Sequence, residues 1–183
     1  PKSCLYVVRG GADCRSEFNR TYNESSNPKP EHPMSATAYV LSPDTYPKPL
    51  SVVGVDVTVL ASADATNGYE VTLQEGNAGS GPPLHSHPWD ECFFVLSGEV
   101  EFSFLDQTVK AVPGTMFHLP AGTPHGFQIK QDGSRMLEMT GKGSRSTQMF
   151  VGVDREVAHR APRPEDIPLL LDVLARHDVK VEV

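Results

Sequence analysis

The middle of the chain alternates between short runs of apolar or β-branched residues and turn residues. Ser51 to Leu60 is rich in β-branched positions and reads as the first firm strand. Asn67-Gly68 marks a turn, Tyr69 to Gln74 a second strand, and Asn77 to Pro83 a Gly/Pro loop. Strands then follow quickly. Glu91 to Leu96 is an apolar run closed by Ser97-Gly98. Glu99 to Leu105 alternates, with Val100, Phe102 and Phe104 on one face and Glu99, Glu101 and Ser103 on the other. Asp106-Gln107 is the expected turn into Thr108 to Val112. Met116 to Leu119 is short and stops at Pro120, and His125 to Lys130 and Arg135 to Thr140 flank Asp132-Gly133. Many short strands with no helix between them predict an all-β sandwich or barrel.

The flanks follow other patterns. Residues 1–50 read as an irregular extension packed on the barrel or on a partner, with an edge strand offered by Leu5 to Val8. Ser16 to Pro33 is a polar loop containing Pro28, Pro30 and Pro33. The barrel is expected over 51–153, and 154–183 holds a linker, a helix and a short tail. Arg160 to Pro164 is the linker. Ile167, Leu170, Leu171 and Leu174 then recur at helical spacing, with Asp166 as N-cap and Pro168 in the first turn. That helix should pack on the outside of the barrel or on a partner subunit.

Composition narrows the function classes. The 183 residues suit one domain with a sizeable core. A net charge of −7 gives no support to nucleic-acid binding and disfavours an anionic membrane. With no secretory signal and no apolar run of membrane-spanning length, a cytoplasmic protein is expected. Three cysteines make no disulfide framework and read as reduced thiols, although Cys4 and Cys14 are close enough in sequence to pair in an oxidising compartment. The sequons at Asn19 and Asn23 read as coincidence in a polar loop.

The candidate chemistry begins at His85. His85 and His87 are two apart, which puts both imidazoles on one face of a strand. Glu91 opens the next strand with the inward parity of Phe93 and Val95, and His125 follows a tight turn. A His-x-His pair alone is most often a surface pair or a satisfied polar pair. Joined by Glu91 and His125, it can supply four ligands to a metal with one or two positions left open.

These residues resemble the cupin superfamily. Gly79, His85, His87, Glu91 and Gly98 fill the fixed positions of its first motif, G-x5-H-x-H-x3-E-x6-G. Gly114, Pro120, Gly122 and His125 fill its second, G-x5-P-x-G-x2-H-x3-N, where Ile129 stands in place of the final Asn. The resemblance covers roughly residues 50–140 and implies a single jelly-roll barrel, a double-stranded β-helix. It also implies one divalent transition metal (Fe, Mn, Ni, Co or Zn) held by His85, His87, Glu91 and His125. More loosely, the whole chain is similar to the quercetin dioxygenase-like small cupins. That likeness implies a dioxygenase-type oxidoreductase acting on a small organic substrate, with Glu91 serving also as proton acceptor. The same site admits a non-oxidative isomerase, lyase or cyclase, or a binding module without turnover. Pairing of N-terminal strands, common in the family, implies a homodimer.

Other positions are less decided. Phe93, Phe102, Phe104, Phe127, Met116, Met136 and Met139 are candidates to line the barrel, and core packing explains most of them. Trp89, in the loop between His87 and Glu91, is either a gate or a cover at the barrel mouth. Strand parity turns Cys92 away from the site, and His118 reads as a satisfied or exposed strand histidine more readily than as a polar group at the cavity.

Overall fold

The alternating strands assemble into two antiparallel sheets. The computed structural model describes residues 37–157 and 163–182, all within a unit running from Ala36 to Val183. One sheet has six strands in the order β1 (Leu50–Val52), β2 (Val55–Ala61), β3 (Glu70–Gly76), β10 (Ser134–Thr140), β5 (Glu91–Ser97) and β8 (Met116–Leu119). The other has five, ordered β11 (Lys180–Val181), β4 (His85–Ser86), β9 (His125–Ile129), β6 (Val100–Phe104) and β7 (Gln107–Ala111). This is the jelly-roll barrel that the strand spacing predicts, and a helix lies near its C-terminal end. The readings made at Leu5 to Val8, at Cys4 and Cys14, over Ser16 to Pro33 and at Asn19 and Asn23 fall outside the described residues. No helix among the described residues is long and apolar enough to cross a membrane.

Inward-facing side chains of both sheets meet in one core. Val95, Val100, Phe102, Ile129 and Met136 are almost wholly buried. Phe102 lies 5.1 Å from Phe93, 5.4 Å from Phe127 and 4.3 Å from Phe117, centroid to centroid. Phe104 is only half-buried, Met139 lies on the opposite face of β10 from Met136, and Met116 is 59% exposed at an edge strand. Methionine carries no parity information of its own, so the strand it sits on decides its side.

Local corrections have local causes. The run from Ser51 to Leu60 is a hairpin and not one strand. Val53 and Gly54 take φ values of 50° and 80°, and Val52 pairs directly with Val55. That is a two-residue turn with both central φ values positive, which a valine rarely adopts and sequence reading therefore passes over. The turn after β6 is Leu105-Asp106, one residue earlier than expected, again with a non-glycine φ of 50° at Leu105. A short helix, α1 (Ala63–Thr66), precedes the Asn67-Gly68 turn.

A longer helix, α2 (Ser146–Val157), is one that the strand pattern does not announce. It buries Met149, Phe150, Val153 and Val157 on one face. Its first turn is tied to the barrel by Glu70, whose Oε2 accepts hydrogen bonds from Ser144 Oγ (2.6 Å) and Ser146 Oγ (2.8 Å). The predicted helix forms as α3 (Ile167–Arg176) and packs on α2 across Gly152, where an added Cβ would lie 3.1 Å from Val173. Asp166 precedes it in helical geometry and makes no side-chain cap. Its carboxylate instead accepts from the backbone and guanidinium of Arg163.

Gly98 shows why a motif glycine is required. Its φ is +79°, and a Cβ there would come within 2.1 Å of Ser134 Oγ. That hydroxyl accepts from Glu99 N and donates to Gln131 O. Gly98→Ala therefore combines a left-handed backbone penalty of about 1–2 kcal/mol with overpacking of about 1–3 kcal/mol. The variant should unfold at a clearly lower urea midpoint, and an unchanged midpoint would show that the β5–β6 turn can rearrange freely.

Candidate functional site

Four side chains singled out in the sequence converge at one end of the barrel. β4 is only two residues long and is held on both sides. His85 pairs with His125 of β9 on one edge and with Val181 of β11 on the other. The C-terminal arm adds Glu182 N donating to Leu84 O (2.9 Å) and Ser86 Oγ donating to Glu182 Oε1 (3.0 Å). The loop that carries His125 also docks on the loop between His87 and Glu91. Gly122 N donates to His87 O (2.8 Å), and Ala121 N donates to Asp90 Oδ1 (2.9 Å). The spacing between the two motif segments is thus set by one backbone–backbone bond and one bond from the backbone to the Asp90 carboxylate.

One ring nitrogen from each of His85, His87 and His125 lies within 4.8 Å of those of the others. Glu91 Oε2 stands 2.8 Å from His125 Nε2 and 3.2 Å from His87 Nε2. The opposite ring nitrogens are all engaged with carbonyl oxygens: His85 Nδ1 with Pro83 O (2.9 Å), His87 Nδ1 with Trp89 O (3.0 Å) and His125 Nδ1 with Thr123 O (2.8 Å). A carbonyl can only accept, so each Nδ1 carries the proton and each neutral ring keeps its Nε2 lone pair free. His125 Nε2 is buried and lacks a well-formed hydrogen bond among the described residues. Three lone pairs and a carboxylate oxygen gathered at one point repel one another unless a proton or a cation lies among them. The donor set therefore fits a divalent transition metal, with backbone carbonyls orienting the imidazoles from behind.

Burial sharpens the electrostatics. His125 is 1% exposed, and His87 and Glu91 are 6% each. Burial and the neighbouring His125 push His85 down to about 4, although Glu91 acts in the other direction. Burial works to lower His125, but the Glu91 carboxylate, 2.8 Å from its Nε2, outweighs it and raises this imidazole. Burial would raise Glu91, yet the imidazoles of His125 and His87 beside it hold its carboxyl well below the usual carboxylate range.

A second buried carboxyl, Glu138, is one that the sequence does not single out. It faces inward on β10, opposite Thr72 of β3 and Phe93 of β5. Its Oε2 accepts from Thr72 Oγ1 (2.8 Å) and from Gln74 Nε2. Burial, and then the charge of Glu91, raise its pKa well above the carboxylate range. Its strand reads Arg-Met-Leu-Glu-Met-Thr, in which apolar residues occupy both parities and conceal which face is inside.

The site opens into a cavity of about 740 Å³ whose walls are mostly hydrocarbon. Valines of β1 and β2 form one side, and Met149, Phe150 and Val153 of α2 a second. Leu170, Leu171 and Leu174 of α3 complete it, so this helix covers the barrel mouth. Trp89 belongs to the same wall, 3% exposed and stacked on His87 at 4.3 Å with 8° between planes. His118 is exposed on the outer face of β8 opposite Cys92, and neither belongs to the cluster.

Comparison with known proteins bears on the same segment. Residues 69–139 match the family model described as a cupin domain. Over 89 residues the chain is 32% identical to quercetin 2,3-dioxygenase of Bacillus subtilis (strain 168). That alignment takes in 48% of this chain and 26% of the relative, so the chain spans about a quarter of that protein's length. An RmlC-like cupin from Shewanella frigidimarina has a TM-score of 0.55 at 13% identity, covering 62% of this chain and 99% of that one. The polyketide cyclase RemF from Streptomyces resistomycificus has a TM-score of 0.50 at 19% identity, covering 57% and 80%. At these identities the likeness to the solved structures is one of fold.

Proposed function

We propose, from the cupin domain matched over residues 69–139, that the chain is a metal-dependent enzyme of dioxygenase type acting on a small, largely apolar organic molecule. The observation that carries the reading is the convergence of three carbonyl-anchored imidazoles on Glu91 beside a hydrocarbon-walled cavity. His85, His87, His125 and Glu91 would hold one divalent metal (Fe, Mn, Ni, Co or Zn), which when bound supplies Lewis acidity toward oxygen donors. The chain's own residues do the rest. The backbone carbonyls keep the imidazoles in one tautomer. Glu91, ionised and shielded from water, is placed to take a proton from a substrate hydroxyl that enters beside it. The walls from α2 and α3 exclude water and select an apolar body. The match to quercetin 2,3-dioxygenase supports the oxidative version over this segment.

The test is metal analysis of protein purified without chelator, followed by incubation with flavonols, catechols and β-diketones with and without dioxygen. Near-stoichiometric transition metal and oxygen-dependent loss of one of these compounds is the expected result. Turnover that persists without oxygen on a redox-inert metal would make it a non-oxidative isomerase, lyase or cyclase. A protein that refuses added iron, nickel, manganese and zinc would be a small-molecule-binding module.

A further inference from the structure

We propose that β11 is a strap that positions His85, so that the donor set is complete only while the C-terminal arm, α3 with β11, is docked on the barrel. The proposal rests on the metal-site reading above and gives a positioning role to Glu182, an exposed residue outside the cavity.

The donors are not equally anchored. Glu91 stands on the seven-residue β5, which pairs with β10 on one side and β8 on the other. His125 opens the five-residue β9, every residue of which pairs with β6. His87 is held through its carbonyl by Gly122 N, and its Nε2 lies 3.2 Å from Glu91. His85 stands on only two residues of strand. On the β9 edge, pairing is confined to His85 with His125. On the other edge both residues pair with β11, Ser86 with Lys180 and His85 with Val181. Glu182 lengthens that edge by two bonds. Its N–H donates to Leu84 O (2.9 Å), and its carboxylate accepts from Ser86 Oγ (3.0 Å). The strap therefore grips the residue on each side of His85. Because His85 Nδ1 is tied back to Pro83 O (2.9 Å), fixing this backbone also fixes the direction of Nε2.

β11 is joined rigidly to α3. Only His177 to Val179 separate them. The N–H groups of His177 and Val179 both donate to Leu174 O, and that of Asp178 donates to Ala175 O. Asp178 takes a φ of 63°, the left-handed conformation that ends many helices. Its carboxylate accepts from Arg145 (3.0 Å), and Val179 is buried in the core. Meanwhile α3 covers the cavity with Leu170, Leu171 and Leu174. Displacing α3 to admit a molecule thus pulls on the pairing that holds His85, and a metal held by His85 resists that displacement. Linkage makes the effect reciprocal: docking of the arm strengthens metal binding by the factor with which metal strengthens docking.

Glu182→Pro removes both Glu182 bonds and leaves every donor side chain in place. The experiment measures zinc affinity by competition with a chromophoric chelator, the visible spectrum of the cobalt-loaded protein, and amide hydrogen exchange at α3 and β11 with and without zinc. Glu182→Pro should bind zinc about ten-fold or more weakly, and its cobalt spectrum should move toward that of His85→Ala. Ser86→Ala, which loses only the side-chain bond, should fall between wild type and Glu182→Pro. Zinc should slow exchange at α3 and β11 in wild type but not in zinc-saturated His85→Ala. In the His85→Ala background, Glu182→Pro should bring no further loss, because the strap acts through that imidazole alone; a general loss of structure would add to it. Wild-type zinc affinity in Glu182→Pro, additive losses in the double variant, or exchange at the arm that ignores zinc would each overturn the strap and leave the metal reading standing. A wild type that takes up no zinc would overturn both.

Discussion

His125→Ala is expected to abolish near-stoichiometric metal retention, lowering affinity by at least about 100-fold, the upper end of what loss of a mere orienting partner costs. His125 is the least exposed of the four and the one closest to Glu91, at 2.8 Å. Its removal takes away one donor and leaves Glu91 with His87 alone. Glu91→Gln, which keeps the shape and loses the charge, should weaken retention in the same direction. Full occupancy in both variants would defeat the ligand assignment. The pH dependence follows from the same atoms. Metal binding needs neutral imidazoles, and His85, pushed down to about 4, stays neutral through the ordinary range. His125 holds its proton more firmly than a free histidine because of Glu91. Metal and proton therefore compete for His125. Affinity should be greatest above its pKa and fall as pH drops through it, by roughly ten-fold per unit for the proton displaced. Isothermal titration with zinc between about pH 8 and pH 5.5 measures this slope, and His125→Ala should flatten what remains of it.

The barrel and the cluster were legible because both rest on short-range rules. Strand parity alone puts Glu91, Phe93 and Val95 inside and Cys92 outside, as the burial pattern shows. Glycines at fixed offsets from the histidines mark places where the backbone takes a positive φ, as at Gly79, Gly98, Gly114 and Gly122, and at Gly98 a side chain would in addition meet Ser134. What escaped depends on longer-range packing or on local exceptions. Val53 and Leu105 turn with positive φ, against their own preference, because their hairpins pair on both sides. The helix α2 shows its apolar face at Met149, Phe150, Val153 and Val157, but it follows directly on strands and opens with Ser146-Thr147-Gln148, which does not announce a helix. Glu138 is invisible for a related reason. A glutamate in a strand reads as outward, and only Thr72 and Gln74 on the neighbouring strand reveal that it is solvated by protein.

Glu70→Ala should be among the most destabilising single changes outside the metal cluster, because one carboxylate oxygen there serves four donors. Glu70 is 2% exposed. Its Oε2 accepts from the hydroxyls of Thr140 (3.3 Å), Ser144 (2.6 Å) and Ser146 (2.8 Å) and from the backbone N–H of Thr147 (3.4 Å). Truncation leaves these groups buried without their acceptor at the first turn of α2, a loss of roughly 3–5 kcal/mol by analogy with breaking a buried charged network. Since α2 forms a wall of the cavity, unfolding in urea should be preceded by increased protease cleavage around residues 141–146. Burial would raise the pKa of Glu70, but hydrogen bonds from Ser144, Thr147 and Ser146 prevail and depress it. A carboxyl whose folded pKa lies below its unfolded one contributes stability that is present above the unfolded value, about 4.3, and disappears as pH falls through the folded value. Wild type should therefore lose more stability than Glu70→Gln on acidification below about pH 4.3. The glutamine variant keeps an acceptor oxygen for part of the network, so its midpoint at neutral pH should fall between those of wild type and Glu70→Ala. Equal midpoints for the alanine variant and wild type would mean that water replaces the carboxylate and that α2 is held by its apolar face alone.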